Sequence, residues 1–179
     1  MRHFKYFYKN FTMDHLRQIE AKIYPDTGSL LPEARRWKKE GKWLVFTNGC
    51  FDLLHRGHVE YLAKAASKGD VLVIGLNSDR SVSRLKGPGR PLVDERSRAM
   101  VLASLQFVTA VVLFDEDTPE RLIEAIKPDL LVKGSDYQPG EIAGGSSVLA
   151  RGGKVETIGL VAGYSTTALL EKIRKSGDE

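Results

Sequence analysis

WLVFTNGCFDLLHRGHVEYLAKAASKG, residues 43–69, holds the pattern on which the fold turns. It opens on an unbroken apolar run, Trp43–Thr47, as a strand buried on both faces requires. Polar and glycine residues follow, and from about Gly57 to Lys68 the period becomes helical. Val59, Leu62, Ala63 and Ala66 then share one face, and Gly69 is the stop. Strand, loop and helix in this succession form the repeating unit of a parallel α/β sheet.

The unit recurs downstream. Further apolar runs lie at Val71–Leu76, Val108–Phe114, Leu130–Val132 and Val155–Ile158. Between them a helix is expected from an N-cap at Asp94 to about Gln106. Another is opened by Thr118-Pro119 and closed by Lys127-Pro128, and a third runs from Glu141 to Ala150. A last helix begins at Ser165 and buries Leu169, Leu170 and Ile173. The expected fold is α/β, a doubly wound five-stranded parallel sheet of Rossmann-like form over residues 41–179. Residues 1–40 read as a partly helical N-terminal extension, with helical patterns at Asp14–Ile23 and Leu31–Lys39 about a Pro25-Asp26-Thr27-Gly28 turn. The aromatic cluster Phe4, Tyr6, Phe7, Tyr8 and Phe11 carries no reactive constellation. It is expected to pack against the main domain or a sister subunit, so a homo-oligomer stays open.

Bulk properties exclude several classes. A formal charge of +4 suits phosphate-bearing ligands, but it is too diffuse to argue for nucleic acid. One cysteine, Cys50, leaves neither an internal disulfide nor a thiolate-based zinc site. The longest apolar run, Ala110–Phe114, falls far short of the ~20 residues a membrane span needs. Met1–Phe11 has no continuous apolar core, so no signal peptide is read there, and a cytoplasmic protein is expected.

Ligands of such sheets bind outside the carboxyl ends of the strands. The loop leaving the first apolar run is Thr47-Asn48-Gly49-Cys50-Phe51-Asp52-Leu53-Leu54, followed by His55-Arg56-Gly57-His58. Two histidines three apart can lie on one side of a first helical turn. Free N–H groups and the helix dipole favour an anion there, and Gly57 lets a phosphate approach the backbone. Two imidazole donors added to a helix terminus make a cradle for a phosphoryl group whose charge grows in a transition state. A His55 that caps the helix or fills a groove, with a core His58, is the plainer alternative, and a metal site finds no partner at ligand spacing apart from Asp52. A dinucleotide-dependent oxidoreductase is disfavoured, because Asn48-Gly49-Cys50-Phe51 is not a G-x-G-x-x-G turn.

His55-Arg56-Gly57-His58 resembles the H-x-G-H signature of the nucleotidylyltransferase superfamily, and Ser165-Thr166-Thr167 resembles the S-T-T motif of its cytidylyltransferase branch. The likeness covers most of residues 41–176. It is nearest to the D-glycero-β-D-manno-heptose 1-phosphate adenylyltransferases, which occur alone or as the C-terminal half of a kinase–transferase. Phe46–Asp52, Asn77–Asp79, Arg84–Gly87, Glu116–Pro119, Asp129–Tyr137 and Glu141–Gly144 carry it. Tyr164 and Ala168 depart from it, standing where a smaller and a polar residue are usual.

The resemblance implies a transfer of AMP from ATP to a sugar 1-phosphate. His55, His58 and Lys86 would be the catalytic residues, Lys86 from a loop after the second strand with Gly87-Pro88-Gly89 as a mobile flap. Thr47, Asn48, Gly49, Phe51, Gly57, Arg98, Lys133, Asp136, Ser165, Thr166 and Thr167 would bind the nucleotide. Asp52, Tyr137 and Glu141 would face the sugar phosphate, Asp52 near its phosphate or Mg²⁺. Mg²⁺ would be held mainly by phosphates and water. The substrates would be the small molecules ATP and sugar 1-phosphate, with no nucleic acid or membrane partner, and a separate sugar kinase could supply the sugar phosphate. Two alternatives stand beside this reading: a CTP-dependent glycerol-3-phosphate cytidylyltransferase and a catalytically inactive nucleotide-binding regulator.

Overall fold

The computed structural model describes residues 14–135, 142–159, 161 and 163–176. The N-terminal aromatic cluster therefore lies outside the described residues, as do Asp136, Tyr137 and Glu141, and the side chain of Thr167 is not described. The chain runs α1 (His15–Glu20), β1 (Ile23–Tyr24), α2 (Thr27–Lys39), β2 (Leu44–Gly49), α3 (Arg56–Ala66), β3 (Val71–Asn77) and α4 (Asp79–Lys86). It continues through α5 (Glu95–Ser104), β4 (Ala110–Phe114), α6 (Glu120–Ile126), β5 (Leu130–Gly134), α7 (Gly145–Ala150), β6 (Lys154–Ile158) and α8 (Thr166–Ser176).

The strands form one parallel sheet in the order β1-β4-β3-β2-β5-β6. Six strands are described, where the apolar runs led us to expect five. The additional one, β1, is only two residues long, too short to leave a periodicity. It pairs Ile23 with Val111 and Tyr24 with Val112, at the edge of the sheet. The helical pattern expected across Asp14–Ile23 accordingly stops at Glu20.

Alternation along each strand divides the core in two. Leu44, Phe46, Val71, Val73, Ala110, Val112 and Leu131 face α2, α6 and α7. Val45, Leu72, Ile74, Leu76, Val111, Leu130 and Val132 face α3 and α5. Both faces are covered, which is why every residue of β3 is buried. Helix α2 begins four residues before the expected Leu31, because Asp26 caps it reciprocally with Ser29; the Ser29 N–H donates to Asp26 Oδ1 at 2.8 Å. Leu30, Ala34 and Trp37 then join the core on the α6 side.

Helix α4 was not expected. Its eight residues offer only Val82 and Leu85 as apolar positions, and only Val82 is buried. Lys86 thus closes a helix rather than sitting in a loop, and Gly87 breaks it at φ +90°, a backbone region few side chains tolerate. The helix expected from Glu141 is described from Gly145.

From β2 the chain winds outward through β3 and β4, then returns across the sheet to β5 on the other side of β2. The switch point lies between β2 and β5, and there the loops leaving the two strands diverge to form a crevice. At the opposite end Asp129 seals the same pair of strands. Its Oδ2 accepts from the Leu44 N–H at 2.8 Å, and its own N–H donates to the Leu44 carbonyl at 2.9 Å.

Candidate functional site

The loop leaving β2 at the switch point carries the histidine motif. His55 occupies the N-cap of α3 in extended conformation, and its Nδ1 accepts from the His58 N–H at 3.4 Å. His58, on the first turn, stacks on it with ring centroids 3.8 Å apart and planes 22° from parallel. Phe51 lies edge-on to His58 at 5.3 Å. Burial lowers the pKa of His55. Burial first, and then the neighbouring His55, pull His58 down to about 4, against a hydrogen bond with the Leu53 backbone that acts the other way. Both rings are therefore neutral at pH 7, so they offer N–H donors and no fixed charge.

The second motif arrives at the same place. Tyr164 lies 6.2 Å from His55 between ring centroids, and the Arg56 guanidinium carbon is 5.7 Å from the centre of the Tyr164 ring. A Cβ on Gly57 would stand 3.1 Å from both the His55 ring and Tyr164 Cβ, so a glycine is what lets the chain before α8 close over the start of α3. Ser165 and Thr166 follow directly, at the N-terminus of α8. Two helix starts thus meet at one point, an arrangement whose dipoles favour an anion.

The other expected residues divide into those that face the crevice and those that build it. Lys133, on β5, reaches across the switch point and donates to the Asn48 carbonyl at 3.4 Å. Lys86 is exposed and close enough to Cys50 to act on its thiol, which burial pushes up while Lys86, Arg98 and Arg90 pull it down. Thr47 is fully buried, and its hydroxyl shares a 2.7 Å hydrogen bond with the Tyr61 hydroxyl, so its side chain supports the strand end. Tyr61 also donates to the Val132 carbonyl at 3.2 Å, tying β2 to β5 through α3.

Arg98 is buried as well. Its Nε donates to the Val93 carbonyl at 2.9 Å, Nη1 to the Cys50 carbonyl at 2.6 Å, and Nη2 to Asp79 Oδ1 at 2.7 Å. Asp52 accepts at Oδ1 from the Leu92 and Val93 N–H groups, at 2.7 and 3.0 Å. Together they fasten the histidine loop to residues 90–93. Sequence reasoning missed Tyr61, Asp79 and Arg90 as members of this framework. For Tyr61 and Asp79 no local signal exists, because their partners are distant in the chain.

Among the described residues, four buried side-chain atoms have no hydrogen-bond partner: Asn48 Oδ1, Asp52 Oδ2, His58 Nδ1 and Arg90 Nη1. They lie at the end of β2 (Asn48), in the β2–α3 loop (Asp52), on the first turn of α3 (His58) and in the segment fastened to that loop (Arg90). Buried polar groups are normally satisfied, so their concentration here marks a surface prepared for a polar ligand. By contrast, the open clefts beyond β3 and β4 are bridged by ion pairs such as Arg84–Asp117 at 2.9 Å and Arg80–Asp115 at 3.4 Å, and neither cleft is lined by a histidine.

Comparison with known proteins shows the family. Residues 46–158 match the family described as cytidylyltransferase-like. "Bifunctional protein HldE" of Methylobacillus flagellatus is 56% identical over 145 residues, covering 81% of this chain and 30% of that protein. The protein of the same name from Geotalea uraniireducens is 60% identical over 137 residues, covering 76% and 28%. The chain therefore spans about three-tenths of the length of these curated relatives. Among solved structures, the lipopolysaccharide core biosynthesis protein from Thermoplasma volcanium aligns with a TM-score of 0.56 at 29% identity, over 68% of this chain and 98% of that one.

Proposed function

The chain belongs to the cytidylyltransferase-like family, and from that membership we propose that it is a nucleotidyltransferase joining the AMP moiety of ATP to D-glycero-β-D-manno-heptose 1-phosphate, giving ADP-heptose and pyrophosphate. The observation that carries the reading is the meeting of two helix N-termini and two neutral, stacked imidazoles at the sheet's switch point. Such a point suits a polyphosphate.

A phosphate oxygen of the sugar 1-phosphate attacks the α-phosphorus of ATP. The new O–P bond forms in line with the breaking bond to the departing pyrophosphate. That oxygen is already ionised at neutral pH, so no base is needed. His55 and His58 donate hydrogen bonds to phosphate oxygens as charge builds up, while Lys86, at the mouth of the crevice, and Lys133 add positive charge. Ser165, Thr166 and Thr167 cap the triphosphate from the second helix start. Asp136, Tyr137 and Glu141 follow β5 in sequence and are assigned to the base and sugar by resemblance. Arg98 supports the nucleotide loop through Cys50 rather than by an outward donor.

Mg²⁺ would enter with ATP, carried on its phosphates. No group of three or more His, Cys, Asp or Glu suited to a metal is present among the described residues. Asp52 does not fit as a ligand to that ion, because Oδ1 is occupied by two N–H groups and Oδ2 faces Arg90. No described helix is long and apolar enough to cross a membrane. The name of one similar structure, a lipopolysaccharide core biosynthesis protein, supports a role in making a precursor of that core.

The decisive experiment is pyrophosphate release with ATP and CTP crossed against heptose 1-phosphate and glycerol 3-phosphate. ATP with the heptose is expected to dominate, since a site that hydrogen-bonds several sugar hydroxyls rejects a small triol. Preference for CTP with glycerol 3-phosphate would move the chain to that branch of the family.

A further inference from the structure

Arg90 is a guanidinium beside the β2–α3 loop with a buried donor that has no partner among the described residues. It follows Gly87-Pro88-Gly89, the short segment that leaves Lys86, and its side chain is 21% exposed. Nη2 approaches Asp52 Oδ2 at 3.0 Å, but the approach is not aligned as a hydrogen bond, and Oδ2 has no other partner among the described residues. Nη1 is buried and has no partner there either.

A carboxylate and a guanidinium usually join through two parallel N–H···O bonds. This pair does not. Asp52, with a side chain 2% exposed, has committed its other oxygen to the Leu92 and Val93 N–H groups, so its carboxylate is fixed by the backbone and cannot turn to meet Arg90. The guanidinium is thereby held by its charge at one end and left with unused, desolvated donors at the other. Leaving such donors unpaired costs free energy that an anion with several acceptor oxygens would recover. Arg98, the neighbouring guanidinium, cannot serve in this way, because Nε, Nη1 and Nη2 each already donate to protein. Lys86, Arg90 and Asp52 all act electrostatically on the thiol of Cys50, in the β2–α3 loop.

We propose that Arg90 binds a phosphoryl group of the substrates through its free donors, and that Asp52 is the positioning residue that holds it in place. The proposal rests on the nucleotidyl-transfer reading of this site. A sugar phosphate and a triphosphate present the same chemistry to a guanidinium, so the experiment has to separate them.

Inorganic pyrophosphate is a probe that needs no assumption about the substrate. Calorimetric titration of the full chain is expected to show binding that weakens about ten- to a hundredfold in Arg90→Met, as for a lost charge-assisted hydrogen bond. Arg90→Lys should recover part of it, because one ammonium cannot span both Asp52 and a phosphate. Asp52→Asn keeps an oxygen for the Leu92 and Val93 N–H groups, so it should weaken binding less. Adding it to Arg90→Met should cause no further loss. In kinetics, KM for one substrate should rise by a similar factor with kcat changed far less. A rise for the sugar phosphate assigns Arg90 to the acceptor, and a rise for ATP assigns it to the nucleotide. Wild-type pyrophosphate affinity in both Arg90 variants overturns the proposal, as does a wild-type chain that binds no pyrophosphate. If no substrate pair turns over while Arg90→Met still loses pyrophosphate, the reading of the reaction fails and Arg90 keeps its role.

Discussion

Two imidazoles in contact, both kept neutral by burial, suit a site that must bind anions without holding them too tightly. A neutral donor strengthens its hydrogen bond as the phosphate oxygen gains charge, whereas a fixed cation would grip ground state and transition state alike. His55→Ala and His58→Ala are therefore expected to lower kcat by about 10²–10³ while ATP affinity changes less, measured by steady-state kinetics beside nucleotide titration. Near-wild-type turnover in either variant removes the assigned role. The same burial has a consequence for stability. The folded-state pKa of His58, about 4, lies below its ordinary value, so the unfolded chain takes up a proton that the folded chain refuses. This contribution is fully present above pH ~6.5 and is lost as the pH falls towards 4, on the order of 2 kcal/mol after allowing for partial exposure. Denaturant unfolding of wild type and His58→Gln between pH 7.5 and 4.5 should show a steeper acid loss in the wild type. Equal slopes would count against the buried neutral imidazole.

Between elements, the position of the site depends on how the ends of β2 and β5 are joined. Tyr61 on α3 reaches through the layer to Thr47 on β2 and the Val132 carbonyl on β5. Its hydroxyl is thus part of the switch point itself. Tyr61→Phe keeps the ring and strands the buried Thr47 hydroxyl, and a loss of about 1–3 kcal/mol in unfolding free energy is expected. Because the strand ends carry Asn48 and Lys133, activity should fall more than stability alone explains. A Tyr61→Phe variant with unchanged unfolding midpoint and unchanged kcat would show that the crossing hydrogen bonds do not set the crevice. Helix α4 acts on the other flank. Asp79 at its start takes Arg98 and Lys86 stands at its end, so one short helix links the buried framework to the exposed cation. The C-terminal end of a helix is also where a lysine is electrostatically favoured.

At the scale of the molecule, β1 and α2 belong to the sheet and core, not to a loose attachment. Strand β1 extends the sheet beyond β4, and Leu30, wholly buried, sits with Ala34 and Trp37 in the core on the α6 side. A chain begun at Leu31 loses β1, the Asp26–Ser29 cap and Leu30 together. The thermal midpoint should drop by about 10 °C, given a few kcal/mol for the buried leucine alone and 2–4 °C per kcal/mol at this size. Calorimetry of the shortened chain checks this. An unchanged midpoint with weakened substrate binding would instead connect the N-terminal residues to the site.

Much of this was legible in residues 43–69 before any coordinates. Continuous apolar runs with helical stretches between them arise only where backbone hydrogen bonds and two-sided burial repeat locally, so the parallel sheet, α3, α5 and the pairing of two histidines at the start of α3 could be read from spacing. Elements with little side-chain pattern could not: β1 is two residues long, and α4 buries one apolar residue. Nor could the direction in which charged groups face. Asp52 reads as a substrate or metal ligand and Arg98 as a nucleotide contact, while Arg90 draws no reading. In the fold, Asp52 is fixed by amides forty residues away, Arg98 is used up on three partners, and Arg90 keeps free donors. A local pattern is enforced by neighbours along the chain, whereas the partner of a buried charge is chosen by desolvation among segments that only the folded chain brings together.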